Sequence, residues 1–176
     1  QIPAENIVGK PGFGFSYIAS SALDYGRYSV AWGCVGIAQA CLEASIQYTN
    51  QRKQFGVYLK EHQLIRQMIS EMTANLKAAR LLCYQAGYLK DTRDPKAILE
   101  TSIAKYFAST IATKAANDAV QIHGANGCTS DYPVQRYLRD AKIMEIIEGS
   151  TQIQQITIAD YAYQEYLISS PVASVS

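Results

Sequence analysis

The chain has 176 residues, 48% of them hydrophobic, and a formal net charge of +1. That length and apolar content suit one domain with a sizeable core, and so small a charge supplies no long-range field for nucleic acid or an anionic membrane. No basic run and no stretch of about 18 uninterrupted apolar residues occurs, so the sequence predicts neither a nucleic-acid nor a membrane partner.

Residues 2–14 read as the end of a strand and a turn-rich crossing. With Gln1 in first place and no signal peptide after it, the sequence is expected to be an internal piece of a longer polypeptide. Pro is absent from 15 to 51, and Cys34, Ile37, Ala38, Cys41, Leu42, Ser45 and Tyr48 recur at three- and four-residue steps. This predicts a long first helix, from about 15 or 21 to 52, ended by Gly56. Leu64, Ile65, Met68, Met72, Leu76, Ala79 and Cys83 mark a second, from about 61 to 90. Asp94 and Pro95 have the N-cap and first-turn chemistry of a third helix, which Ala104, Phe107, Ala108, Ile111, Ala115, Ala119 and Ile122 carry to a break at Gly124-Ala125-Asn126-Gly127. A shorter helix is expected from about 133 to 147. After the Gly149 break a last helix runs from Thr151 to about 167, with Thr151 and Gln154 at capping-box spacing. No useful stretch alternates with period two. The expected fold is therefore all-α, an antiparallel up-down helical bundle over residues 15–168 with a frayed tail at 169–176.

Cys34, Cys41, Cys83 and Cys128 lie far apart without a CxxC spacing, and they read as core residues and free thiols of a reducing, cytoplasmic compartment. His62 and His123 are the only histidines, and neither stands three residues after a Glu, so the ligand pattern of a metal-binding bundle is missing.

Three stretches carry candidate chemistry. In Ile147-Glu148-Gly149-Ser150-Thr151-Gln152-Ile153-Gln154 a carboxylate stands before a glycine break. Glu148 on such a bend can face a cleft and act as a general base, or simply complement the N-terminus of the helix behind it. In Arg52-Lys53-Gln54-Phe55-Gly56 a guanidinium and an amide can grip a pyrophosphate, or merely complement a helix C-terminus. Gln121, Gly124 and Gly127 form a turn where backbone amides can approach a ligand, or an ordinary helix stop. His123 reads as packed or surface-lying. Asp24 and Arg27 stand at i, i+3, where they can pair with each other. Arg139 and Asp140 read as a solvated or bundle-locking set.

Together these stretches resemble the C-terminal helical domain of the FAD-dependent acyl-CoA dehydrogenase family, over nearly the whole chain to about Tyr163. The likeness also includes Glu61-His62-Gln63, Asp118-Ala119-Val120-Gln121 and Arg139-Asp140-Ala141-Lys142. The resemblance implies that Glu148 is the base that takes the α-proton of an acyl thioester while a β-hydride leaves for the flavin. It implies that Arg52, Gln54 and Phe55 belong to a segment reaching the FAD pyrophosphate of a neighbouring subunit, and hence a homodimer or homotetramer. Gln63, Gln121, Ala125, Ser150 and Gln152 match other flavin contacts. Asp24, Arg27, Ile147 and Gly149 match the substrate side.

Four positions depart from the common pattern of the family: Ile147 and Cys128 replace aromatics, Ser150 replaces Thr, and Ala125 replaces a second glycine. Asp24-Tyr25-Gly26-Arg27 and Met144-Glu145-Ile146-Ile147-Glu148-Gly149-Ser150 are more similar to a branch found in polyketide and nonribosomal peptide pathways, whose members act on acyl groups tethered to a carrier protein. The implied substrate is thus a thioester of coenzyme A or of acyl carrier protein, with the electron acceptor left open. The resemblance places residues 1–14 at the exit of a middle β domain. It implies that the chain alone is inactive and holds FAD weakly or not at all. The competing expectation is a non-catalytic helical module that docks a carrier protein or mediates assembly.

Overall fold

The computed structural model describes residues 2–169. Five helices make up most of it: α1 (Ser20–Gln51), α2 (Gln63–Asp91), α3 (Ala97–His123), α4 (Val134–Met144) and α5 (Thr151–Ser169). A wider π-helical turn, Gly14–Ala19, leads into α1. Two short antiparallel strands, β1 (Lys53–Gln54) and β2 (Val57–Tyr58), join α1 to α2 and add a small hairpin to the expected all-α bundle. The expected frayed tail lies outside the described residues, apart from Ser169 at the end of α5.

Helix α3 is the central element and packs against each of the other four. Its buried face is built on alanine, with Ala104, Ala108, Ala112, Ala115, Ala116 and Ala119 at 5% exposure or less. Side chains that small let neighbouring backbones approach closely. α1 fills the opposite face with Ala31, Cys34, Val35, Ala38 and Cys41, and α2 with Met72, Leu76, Ala79, Cys83 and Ala86. By length and composition Gly14–Gln51 could cross a membrane, although no single apolar run in it suggests so. In the fold Ala31, Cys34, Val35, Ala38, Cys41, Leu42 and Tyr48 of this stretch are core of the bundle, while Phe15, Tyr17, Tyr25 and Ile46 are exposed. Hydroxyls buried within the helices bond back along them: Ser45 to the Cys41 carbonyl at 2.7 Å and Thr101 to that of Ala97 at 2.6 Å. No polar hydrogen is stranded at these positions.

Several local expectations shift. Residues 2–13 hold one 3-10 turn, Ala4–Asn6, in place of a strand end. Asp94 opens a turn whose side chain accepts from the Lys96 amide at 2.8 Å, so α3 begins at Ala97, two residues later than the Asp-Pro signal suggested. Gly56 does not cap α1, which ends at Gln51; it sits at the hairpin tip with Phe55, both at positive φ. Two consecutive left-handed residues make the tight turn that matches strand twist. Cys128 is exposed, while the other three cysteines are core residues.

Candidate functional site

Helix α4 ends at Met144 and residues 145–150 return the chain into α5. The reversal falls on Glu148 (φ 55°) and Gly149 (φ 93°). A left-handed conformation at a non-glycine residue costs about 1–2 kcal/mol, so Glu148 has to be held there from outside. Three side chains do so. Arg27 Nε on α1 donates to the Glu148 carbonyl at 3.2 Å, and Gln154 Nε2 on α5 donates to the same oxygen at 3.3 Å. Lys105 Nζ on α3 donates to the Gly149 carbonyl at 2.7 Å, and Gln154 reaches that oxygen more weakly, at 3.5 Å. A hydrogen bond from a charged donor contributes about 1.5–3 kcal/mol, enough to offset the backbone strain. The Thr151 amide closes the loop on the Glu145 carbonyl at 2.9 Å. The expected Thr151–Gln154 capping box does not form. Ser150 Oγ accepts from the Ile153 amide at 3.5 Å, and Gln154 is engaged on the turn.

The carboxylate projected by this turn lies against Gly26 of α1, where any Cβ would overlap it. Gly149 is constrained twice, by its φ and by Gln154 Nε2, which would lie 2.6 Å from an added Cβ. Lys105 is fully buried. Burial pulls its pKa down and the Arg27 guanidinium adds to that, while the carboxylates of Glu145 and Glu148 oppose it. Burial pushes the neighbouring Cys34 thiol up to about 12, so it stays neutral at ordinary pH.

The expected Asp24–Arg27 pair does not form. Asp24 Oδ2 takes Lys90 of α2 instead, whose ammonium also lies over the Tyr25 and Tyr28 rings. The other carboxylate oxygen of Asp24 is buried and has no partner among the described residues. Likewise Arg139 bonds Gln135, and Asp140 lies 3.9 Å from Arg136, on the solvated face of α4.

A second cluster forms at the hairpin. Arg52, Gln54, Gly124, Ala125 and Asn126 share a cleft of about 250 Å³ with Tyr48 and His123 behind them. Among the described residues no carboxylate pairs with the Arg52 guanidinium, so an anion such as a pyrophosphate suits it. His123 is packed, stacked on Tyr48 with ring centroids 4.2 Å apart and its Nδ1 2.8 Å from the Ala119 carbonyl. Of the two glycines expected to admit a ligand, Gly124 (φ 60°) borders the cleft. Gly127 is buried, and its added Cβ would lie 2.7 Å from the Val120 carbonyl; packing is its role.

The remaining candidates face solvent. Gln63 opens α2, Gln121 lies in the last turn of α3 and Gln152 in the first turn of α5, all exposed. Among the described residues their amides make no side-chain hydrogen bond. Phe55 is 94% exposed at the hairpin tip, and Ile147 is 38% exposed beside the base turn. Lys105, Gly26 and the clamping role of Gln154 escaped the sequence reading. Lys105 did leave a trace, a cation three and seven residues before Ala108 and Ala112 on an otherwise apolar stripe.

Residues 12–162 match the family model described as acyl-CoA dehydrogenase, C-terminal domain. The probable acyl-CoA dehydrogenase YngJ of Bacillus subtilis (strain 168) is 45% identical over 159 residues, which are 90% of this chain and 41% of that protein. Butyryl-CoA dehydrogenase from Megasphaera elsdenii superposes with a TM-score of 0.87 at 40% identity, covering 92% of this chain and 42% of its own. The prolyl acyl carrier protein oxidase AnaB gives 0.85 at 30% identity, with the same coverage. The chain thus spans about two fifths of the length of these relatives. With a family model over most of its length and relatives that share its bundle, the chain belongs to the acyl-CoA dehydrogenase family as its C-terminal helical domain.

Proposed function

We propose that this chain is the base-carrying, flavin-facing domain of an FAD-dependent dehydrogenase acting on acyl thioesters. The observation that carries the reading is the Glu148 carboxylate, projected from a clamped left-handed turn onto the bare backbone of Gly26. Desaturation breaks a C–H bond at each of two carbons. Glu148 accepts the α-hydrogen as a proton, and the electrons of that bond form the new double bond as the β-hydrogen leaves with its own pair. FAD, when bound, supplies the acceptor for that hydride. The free guanidinium of Arg52, Gln54 and the Gly124-Ala125 backbone fit the cofactor's pyrophosphate. The unpartnered amides of Gln63, Gln121 and Gln152, together with Ser150, offer further polar contacts. Arg27 and Ile147 border the base on the substrate side, as does Gly149.

Relatives at 40–45% identity bear names of coenzyme A substrates, which favours a coenzyme A thioester over the carrier-protein thioester of the AnaB type. Phe55, bare at the hairpin tip beside Arg52, is read as reaching a second subunit of a dimer or tetramer. The test is E148Q in the intact enzyme. FAD content should stay unchanged while flavin reduction by an acyl thioester slows roughly 10²–10⁴-fold. Bleaching of the flavin at the original rate would end this reading and leave the docking module in its place. Running coenzyme A and carrier-protein thioesters side by side on the unaltered enzyme identifies the carrier.

A further inference from the structure

Lysine is almost never fully buried without a partner, yet Lys105 sits at 0% exposure on the core face of α3. Its recorded hydrogen bond goes to no carboxylate. Nζ donates to the backbone carbonyl of Gly149, at 2.7 Å. The nearby Cys34 thiol is neutral and supplies no counter-charge. For stability alone an apolar side chain of the same volume serves as well or better in such a place. The location explains the lysine: the bonded carbonyl belongs to the glycine that follows Glu148.

Glycine is the most freely rotating residue of a chain, and here it adjoins the group whose direction matters most. Arg27 and Gln154 hold the Glu148 carbonyl and so fix the peptide plane before Gly149. Lys105 holds the Gly149 carbonyl and so fixes the plane after it. With both planes pinned, neither soft dihedral of Gly149 is free to turn. We propose that Lys105 is a positioning residue for the catalytic base, locking from the core helix the backbone from which the Glu148 carboxylate projects. The inference rests on the reading of Glu148 as that base. Lys105 also sets the local field. The charged groups around the turn are Arg27 from α1, Lys105 from α3, Glu145 and Glu148 of the turn itself, and Lys142 of α4, which pairs with Glu145; loss of Lys105 therefore leaves Arg27 and the already paired Lys142 as the cations there among the described residues.

The experiment compares K105M, which keeps the volume and removes donor and charge, with the unaltered, FAD-loaded intact enzyme. A misplacement of about 1 Å can cost about 10²-fold in rate, so kcat for flavin reduction should fall by about that factor while KM for the thioester holds. A lysine that merely stabilises the fold would lower Tm and FAD content but leave kcat per flavin-loaded molecule in place. That result, or an unchanged kcat, overturns the proposal. Should K105M fail to fold, K105Q, whose uncharged amide is one bond shorter than the lysine, is read the same way: a lower kcat per flavin at unchanged KM supports the role and an unchanged kcat ends it. E148Q run in parallel separates the two layers. If E148Q leaves the rate intact, the base assignment fails; if E148Q abolishes reduction while K105M leaves the rate unchanged, only the positioning role fails.

Discussion

The chain makes the same backbone move twice, at Phe55 and Gly56 and again at Glu148 and Gly149. In each pair a non-glycine residue at φ 52–55° precedes a glycine at φ 83–93°. The hairpin pair is held by its own ladder, Lys53 opposite Tyr58 and Gln54 opposite Val57, and by the Leu59 amide on the Arg52 carbonyl at 2.9 Å. Space around Gly56 is open. The base pair has no ladder, and side chains from α1, α3 and α5 hold it instead. Backbone conformation alone therefore marks no site. What distinguishes the second turn is that distant helices converge on it, with side chains crowded around Glu148 and Gly149.

Glycine-to-alanine changes separate the two turns most sharply. G149A meets both the backbone penalty of positive φ and Gln154, so stability should fall by about 1–3 kcal/mol and flavin reduction by about 10²-fold. G56A meets only the backbone penalty, and should cost about 1 kcal/mol in Tm analysis with the rate untouched. Equal rate losses in both would erase the distinction. G26A tests the carboxylate's seat next. The crowded atoms are the mobile end of Glu148, so thermal unfolding should barely change while kcat drops about tenfold; a large fall in Tm with normal kcat would contradict this.

The hairpin end carries a pH signature of its own. Burial lowers the His123 pKa below its ordinary 6.5, with the Ala119 carbonyl only partly opposing. The unfolded chain then binds a proton that the folded one resists. Stability from this residue is fully present above about pH 6.5 and is lost as pH falls through the lowered folded value. Thermal melts should decline over that acid range, and H123F, which keeps a ring on Tyr48, should decline less. The smallest effect is F55N. Asparagine tolerates left-handed φ, so the hairpin should gain about 0.5–1 kcal/mol while the assembly, measured by light scattering, loosens through loss of Phe55.

Much of this fold was legible because α1, α2 and α3 advertise themselves by apolar residues at helical steps, and the break before α5 by Gly149. The boundaries that moved were settled by competing local bonds. Asp94 found the Lys96 amide before a helix could start, and Gln154 was drawn from the expected capping box to the carbonyls of the base turn. Asp24 and Arg27 had the spacing of a pair, but each found a more distant partner, Lys90 and the Glu148 carbonyl. Such choices depend on which helices meet, and a one-dimensional pattern does not contain that. Gly26 and Lys105 were hidden for the same reason, since each acts on a residue more than 40 positions away.

The alanine face of α3 has a consequence for anyone redesigning this chain. Ala104, Ala108 and Ala112 set the separation between α3 and its neighbours, and Arg27 and Lys105 reach the same turn from opposite banks of that gap. Enlarging one of these methyls widens the gap without touching any group near the substrate, and the two donors then fall out of step. On the proposed function interior spacing is thus a tuning screw, and buried alanines far from the cleft belong among the first positions to hold fixed in any redesign.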